Sequence, residues 1–300
     1  MLTSQIGEQW ESDSEDLGDA TLGESPALLS DFLPSAALRS DNPEVSMAAL
    51  EGTLPSHDRA LVLCNSYVDH ASLFFRPIKR DELLEELLPA LYSIAAQRMQ
   101  ARVVGAASGD LLKQVDKTYP HDFALLYAIF AIGALFDLGL PACSAEAEHY
   151  FDLSRIALGL KQVTDSPQIN TVRALGLMAT YCNMVDKKYS RDTAWIGMSL
   201  TAKVAQTLGL HRDSARWKMD AKTVNKIRNL WWEVFSADMS HVRLTFLLDP
   251  HTDLQQCLAL GRPPAIHLSF VDCEFPIDEE ATLSNAGEVE NGCRSPSKLN

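Results

Sequence analysis

The sequence predicts an all-α protein, built as a single large antiparallel domain of roughly eight helices behind a disordered acidic tail. Between residues 55 and 281, apolar side chains recur at intervals of three and four, which is the period of amphipathic helices. No run of residues alternates as half-buried strands do, and no hairpin signal joins two such runs. The 14 residues at 123–136 are uncharged and apolar, which is typical of a central buried helix. A membrane span would need about 20 residues.

Residues 1–54 are predicted to form the disordered tail. The stretch from Glu8 to Asp31 holds eight acidic residues and no Lys or Arg, and Gly, Ser and Pro interrupt its apolar positions. Such a segment buries too little apolar surface to offset the entropy lost on ordering it. Interspersed acidic and apolar residues are also typical of activation segments, so an activation segment and a solvated linker both remain open. Residues 282–300 are expected to form a second tail, disordered or aberrant, after the domain at 55–281.

Capping residues and helix breakers set the predicted helix boundaries in chain order. The first helix is expected to begin after Ser56, because a serine side chain can accept a hydrogen bond from the exposed amides of a first turn. Pro89 suits the first turn of another helix, and Gly139 with Pro141 ends the apolar helix. Later helices are predicted to begin at Ser144, at Ser166-Pro167, before Trp195 and near Asp220, with Gly209 ending the helix that carries Trp195.

Composition excludes several functions. The net charge is −14, with 40 acidic residues against 26 Lys and Arg, so a broad phosphate-binding face is not expected. Four cations, Lys218, Lys222, Lys226 and Arg228, form either a local basic patch or a solvated helix face. The six cysteines contain no C-x-x-C pair, so we expect reduced thiols, no metal site and no cofactor in this chain. The common sequence signatures of catalytic sites do not occur, so we expect no catalytic residues and no enzyme.

The first of three motifs is Gly209-Leu210-His211-Arg212-Asp213, which follows a predicted helix. Gly209 suits the left-handed conformation just past a helix end, where Leu210 can fold back onto the last turn. Arg212 and Asp213 are spaced to pair with neighbouring elements. A catalytic couple of His211 and Asp213 is the alternative, but residues this close along the chain rarely face each other for proton transfer.

The second motif places Trp231 and Trp232 side by side on a helix, so their rings point about 100° apart. One ring is expected in the core, while the other covers a groove or a neighbouring helix. A wall of a ligand pocket is the alternative.

The third motif, Gly261-Arg262-Pro263, predicts a rigid turn, because proline fixes its own φ and restricts the residue before it. Asp238, near the end of the tryptophan helix, is the candidate carboxylate that anchors Arg262.

In this order and at this spacing, the three motifs together with residues 67–77 and 271–276 resemble the regulatory "middle homology" domain of fungal zinc-cluster transcription factors, of the xylanolytic activator type. The resemblance runs from Leu54 to Pro276. It implies an all-helical regulatory domain in a nuclear factor that controls RNA polymerase II transcription. It also implies partners among the transcription machinery or co-regulators, a metabolite effector, a homodimer, and no membrane. The motif residues are then structural or regulatory.

The chain departs from this family in three ways, the first being that Ile227 and Asn229 interrupt the basic run that usually precedes the tryptophans. The six-cysteine zinc cluster does not occur in the sequence, so zinc and DNA contact are implied only for that missing cluster. Residues 242–256 intervene where the family continues almost directly into the third motif. We interpret them as translated intron, with a helix extension and a surface loop as the alternative. The alternative function is a helical module that binds a small molecule or a protein and has no role at DNA.

Overall fold

The computed structural model describes residues 43–71, 73–104, 120–141, 143–164, 166–185, 188–240 and 264–277. Within these ranges the chain forms eight α-helices and no strand, which confirms the predicted all-α fold. None of these helices is both long and apolar enough to cross a membrane. The helices are α1 (Pro43–Gly52), α2 (His57–Ser66), α3 (Leu88–Val104), α4 (Pro120–Leu135), α5 (Ala145–Gly159), α6 (Ile169–Met184), α7 (Arg191–Thr207) and α8 (Ala221–Ser240).

Four short turns complete the described secondary structure. A π-helical turn at Tyr67–Ala71 extends α2, and another at Glu82–Leu87 leads directly into α3. Two 3₁₀ turns, Ser214–Trp217 and Leu268–Phe270, flank the stretch of chain that contains α8.

Side-chain capping explains where several helices begin. Ser56 Oγ accepts a hydrogen bond from the Arg59 amide at 3.3 Å, and Ser144 Oγ accepts one from the Ala147 amide at 3.2 Å, so both predicted caps are confirmed. The predicted start at Ser166-Pro167 is two residues early. Gln168 caps α6 in a reciprocal capping box with Thr171. The side chain of Gln168 accepts a hydrogen bond from the Thr171 amide, and the side chain of Thr171 accepts one from the Gln168 amide.

The apolar helix α4 forms the centre of the core, as the sequence predicts. Residues 123–134 are buried on every face of the helix, because α2, α5 and α6 all pack against it. His121 in its first turn is fully buried, and burial lowers the pKa of its imidazole, which favours the neutral ring. Its Nε2 lies 3.0 Å from the Lys161 carbonyl, which can only accept, so its Nδ1 accepts from the Thr171 hydroxyl at 2.8 Å.

Contacts between helix ends show that α4 and α5 are antiparallel. Near the start of α4, the carbonyl of Ala124 accepts a hydrogen bond from Ser154, which lies towards the end of α5, at 2.7 Å. Beyond the other end of α4, Arg59 of α2 bridges Asp137 and Glu146 at 2.7 and 2.8 Å, and Glu146 lies at the start of α5. One guanidinium therefore fixes three helices at the same end of the bundle.

Gly133 allows α2 to approach α4 closely. A Cβ atom at this position would overlap the backbone of Leu63, so the contact between the two helices requires a glycine. Beside it, Ser66 Oγ donates to the Gly133 carbonyl at 2.8 Å.

The predicted boundary of the acidic tail needs correction, because residues 43–52 form α1 and pack on the domain. Glu51 is 7% exposed, and its carboxylate accepts hydrogen bonds from Arg98 at 2.6 Å and Arg102 at 2.9 Å, both on α3. The hydroxyl of Tyr127 on α4 donates to the Leu50 carbonyl at 2.6 Å. These partners lie far along the chain, so local composition could not reveal them. Residues 1–42 and 278–300, with the rest of both predicted tails, lie outside the described residues.

Candidate functional site

The residues of the first two motifs meet in one place, which we call the motif junction. It consists of residues 208–217, helix α8 and residues 264–277. The 264–277 segment follows α8 back to the turn after α7, where the Asp272 amide donates to the His211 carbonyl at 3.1 Å. Two motifs that are separate in the sequence thus share one packed surface.

The turn after α7 has the predicted helix-ending geometry. Gly209 has a φ of 77°, in the left-handed region that favours glycine. The amide of Leu210 donates back to the Ala205 carbonyl at 3.1 Å, and the Leu210 side chain is buried. This confirms the structural interpretation of Gly209 and Leu210.

A buried ion pair holds the turn to α8. Both carboxylate oxygens of Asp213 accept from Arg228, at 2.8 and 2.9 Å, and each residue is only 7% exposed. Arg228 Nη2 also donates to Glu274 at 2.7 Å. The hydrogen bond from Arg228 holds the pKa of Asp213 below its usual range, so the carboxylate stays ionised. Arg228 therefore joins α8 to both other parts of the motif junction.

The remaining arginines of the turn are on the surface. Arg212 and Arg216 both pair with Asp272, at 3.3 and 3.2 Å. Asp272 in turn accepts the backbone amide of Asp213 at 3.1 Å. The prediction that Arg212 and Asp213 pair with neighbouring elements is therefore confirmed, with a different partner for each.

The four cations considered as a basic patch are largely neutralised. Lys222 and Lys226 reach Glu86 at 3.4 and 3.2 Å, and Arg228 is committed to Asp213. Lys222 is an exposed residue, as a solvated helix face requires, but Arg228 lies inside the motif junction. The pattern therefore does not present an uncompensated basic surface.

The two tryptophan rings have different environments, as the sequence predicts. Trp231 is fully buried, and its ring lies 6.0 Å from the His211 ring. Trp232 stacks on Phe275 with ring centroids 4.2 Å apart and 17° between the planes. Its Nε1 donates to the Glu274 carbonyl at 2.9 Å, so the second ring covers the 264–277 segment.

His211 has a structural environment. Burial lowers the pKa of its imidazole, and the nearby charge of Arg212 lowers it further, so the neutral ring is favoured. Both carboxylate oxygens of Asp213, the alternative catalytic partner, accept hydrogen bonds from Arg228. The geometry thus assigns Asp213 to an ion pair and His211 to packing against Trp231.

Asp238 anchors the backbone of the 264–277 segment. Its two carboxylate oxygens accept from the amides of Ala265 and Ile266, at 3.2 and 2.9 Å. Burial raises the pKa of this carboxyl, while the two amides oppose the rise. The partners that the structure shows are thus backbone amides. Gly261, Arg262 and Pro263, like residues 242–256, lie outside the described residues.

The sequence analysis missed Asn225, which is 5% exposed. Its side-chain amide donates to the Ile277 carbonyl at 3.1 Å and accepts from the Ile277 amide at 2.8 Å, so it pairs with the backbone as a strand would. A signal was available in the spacing. Asn225, Arg228 and Trp232 recur at intervals of three and four and form a polar stripe beside the apolar one.

Within the described ranges, no three His, Cys, Asp or Glu side chains are grouped to hold a metal ion. Burial raises the pKa of the Cys64 thiol to about 12 and that of Cys273 to about 11, so both thiols are protonated at neutral pH. The geometry of the motif junction serves to hold chain segments together.

Comparison with known proteins found similarity to a fungal transcription factor family and to transcriptional regulatory proteins. Residues 100–244 match the model of the fungal specific transcription factor domain. Two uncharacterized transcriptional regulatory proteins of Schizosaccharomyces pombe are similar to the chain. One is 30% identical over 57% of this chain and 20% of its own length, and the other is 25% identical over 62% and 22%. The chain thus spans about a fifth of the length of these relatives. No solved structure matches.

We predict that the two tryptophans differ sharply in their contribution to stability. Trp231→Ala leaves a large cavity in the core and should lower the free energy of unfolding by about 3–5 kcal/mol. Trp232→Ala should cost clearly less, because that ring is partly exposed and packs against Phe235 and the 264–277 segment. Urea denaturation followed by circular dichroism measures both variants, and similar losses at the two sites would contradict the assignment.

We predict that the pair of Asp213 and Arg228 makes stability depend on pH in the acidic range. The folded-state pKa of Asp213 is lowered, so its contribution is complete above the unfolded value of about 3.9 and is lost as the pH falls through the folded-state pKa. Asp213→Asn should therefore destabilise the protein at pH 7 by about 1–3 kcal/mol.

The same comparison at lower pH provides the check. The difference between wild type and Asp213→Asn should shrink below about pH 4. Glu274→Gln is the matched control, since it removes the exposed partner of the same arginine and should cost less at pH 7. A difference for Asp213→Asn that stays constant with pH would show that the carboxylate charge is not what stabilises the junction.

Proposed function

We propose that this chain is the regulatory part of a regulator of RNA polymerase II transcription that acts in the nucleus. The observation that carries the proposal is the match of residues 100–244, which extends from α3 through Trp231, Trp232 and Asp238 of α8. Relatives named as transcriptional regulatory proteins support the same class. We therefore propose a role in transcription regulation rather than catalysis.

Charge supports a regulatory role rather than direct DNA contact. The chain carries a net charge of −14, and the cations on α8 are engaged by Glu86 and Asp213. DNA affinity depends on free Lys and Arg that displace the counterions of phosphates. We therefore propose that DNA contact comes from a zinc cluster outside this chain, and that zinc belongs to that cluster.

Exposed apolar side chains on the 264–277 segment favour a protein partner. Phe270, Phe275 and Ile277 are each more than 60% exposed, although the segment itself is held firmly on α8. Side chains of this kind are typical of contact surfaces for other proteins. We propose co-regulators or the transcription machinery as the partners, with a second copy of the chain as the alternative. A protein-binding module without a role at DNA is the second candidate function, since the same surface would serve it.

A tethering experiment tests the proposed role. The full 300-residue chain is fused to a bacterial DNA-binding domain, and its operator is placed upstream of an RNA polymerase II reporter in yeast. We expect the fusion to change reporter transcription, up or down, relative to the DNA-binding domain alone. Trp231→Ala is the control for a folded domain, and it should abolish the change.

Two outcomes would contradict the proposal. A fusion that occupies the operator, as measured by chromatin immunoprecipitation, without changing transcription would favour the binding module. A change that persists undiminished in Trp231→Ala would assign the effect to a part of the chain other than the folded domain.

A further inference from the structure

A cavity of about 320 Å³ lies between the π-helical turn Glu82–Leu87 with the start of α3 and the first turns of α4 and α6. Its volume falls at the lower end of the roughly 300–1,000 Å³ that small-molecule sites occupy. Three separate stretches of chain form it, and Lys226 of α8 reaches its rim through Glu82 and Glu86. We call it the α3–α6 cavity.

One wall of the α3–α6 cavity is a continuous chain of hydrogen bonds. Asn170 donates to Asp122 at 2.8 Å and accepts from Arg173 at 3.0 Å. Arg173 also donates to both oxygens of Glu82, at 2.9 and 3.2 Å. Arg173 is only 5% exposed, and its Nε has no hydrogen-bond partner among the described residues. The wall thus keeps one buried donor in need of an acceptor.

The charge of the lining favours a cation. The cavity is lined by one arginine, Arg173, and by three carboxylates, Glu82, Glu86 and Asp122. Both carboxylate oxygens of Glu82 already accept hydrogen bonds from the Nη atoms of Arg173. The charge of Glu86 is balanced from outside the cavity, by Lys222 at 3.4 Å and Lys226 at 3.2 Å. The Lys222 contact is long and that side chain is 72% exposed, so a ligand ammonium can replace it at little cost. A phosphate or a polycarboxylate would meet like charge.

The opposite wall is apolar. Leu87, Leu91 and Ile94 of the turn and of α3 lie on it together with Ile78. A ligand body of aliphatic or aromatic carbon would remove this surface from water, at a gain of about 25 cal/mol per Å² buried. The two walls therefore select a molecule that is apolar on one side and polar on the other.

We propose that the α3–α6 cavity binds an amphipathic organic amine. The ammonium group lies at Glu86 and Asp122, and the carbon body lies against Leu87 and Leu91. The site is a property of the folded chain. Its test needs no transcription readout, so failure of the reporter experiment and failure of this proposal are separate results.

Three probes of one shape but different charge test the proposal. Phenylalaninol carries an ammonium and a hydroxyl, 3-phenylpropane-1,2-diol is neutral, and 3-phenyllactate is anionic. Titration calorimetry with the full chain at pH 7 should show saturable binding of phenylalaninol, about tenfold or more tighter than either of the other probes. Rising salt should weaken it, because the ion pair is partly exposed.

Variants locate the binding. Ala90→Trp fills the cavity from an exposed helical position and should abolish phenylalaninol binding. Glu86→Gln, also at an exposed position, should weaken it and reduce its preference over the diol. Glu148→Gln is the matched control, since it removes an exposed carboxylate paired with Lys188 at the start of α5, near the opposite end of α4, and should leave binding unchanged.

Several results would overturn the proposal. Equal binding of the diol, or tighter binding of the lactate, would refute the charge argument. Binding that survives both Ala90→Trp and Glu86→Gln would place the probe elsewhere, and the absence of saturable binding would show that the cavity does not bind this class of ligand.

Discussion

The motif junction depends on the ion pairs of Arg228. Its guanidinium binds Asp213 in the turn after α7 and Glu274 in the 264–277 segment, so it joins three parts of the chain. Such a pair is costly to desolvate, and it stabilises only because both oxygens of Asp213 are used. Removing Arg228 leaves the buried Asp213 carboxylate without its ion-pair partner, and removing Asp213 leaves Arg228 with Glu274 alone. The pair therefore fixes which segments meet, in addition to any net stability that it provides.

Helix α8 can hold these segments because it carries more than one functional face. The apolar stripe that contains Trp231 and Val234 is buried in the core. The polar stripe of Asn225, Arg228 and Trp232 holds residues 264–277 through side-chain contacts to backbone atoms and to carboxylates. On another side, Glu233 accepts the Arg76 amide at 3.0 Å, and burial raises the pKa of that carboxyl. A regulatory signal that moved α8 would act on all of these segments at once.

The sequence predicted the fold well because helical periodicity is a local property. The buried helix α4, the caps at Ser56 and Ser144 and the helix end at Gly209 all follow from nearby residues. Helix α1 was missed because its stabilising partners on α3 lie about 50 residues away.

The sequence predicted only part of the motif junction, because many of its contacts join residues that lie far apart in the chain. The sequence separated Trp231 from Trp232 correctly, because their directions follow from helix geometry alone. The partners of Arg212, Asp213 and Asp238 depend on where residues 264–277 lie, and no local pattern gives that position. The spacing of Asn225, Arg228 and Trp232 indicates a polar stripe, but it does not indicate which backbone atoms Asn225 will bind.

Hydrogen exchange at the 264–277 segment tests the central claim most directly, namely that α8 holds this segment as part of the folded domain. The amides of Ile266, Asp272 and Ile277 donate to Asp238, His211 and Asn225 respectively. In the wild type all three should exchange far more slowly than in an unfolded chain, and Arg228→Met should speed the exchange at Asp272. Exchange of all three amides at unfolded-chain rates in the wild type would contradict the account.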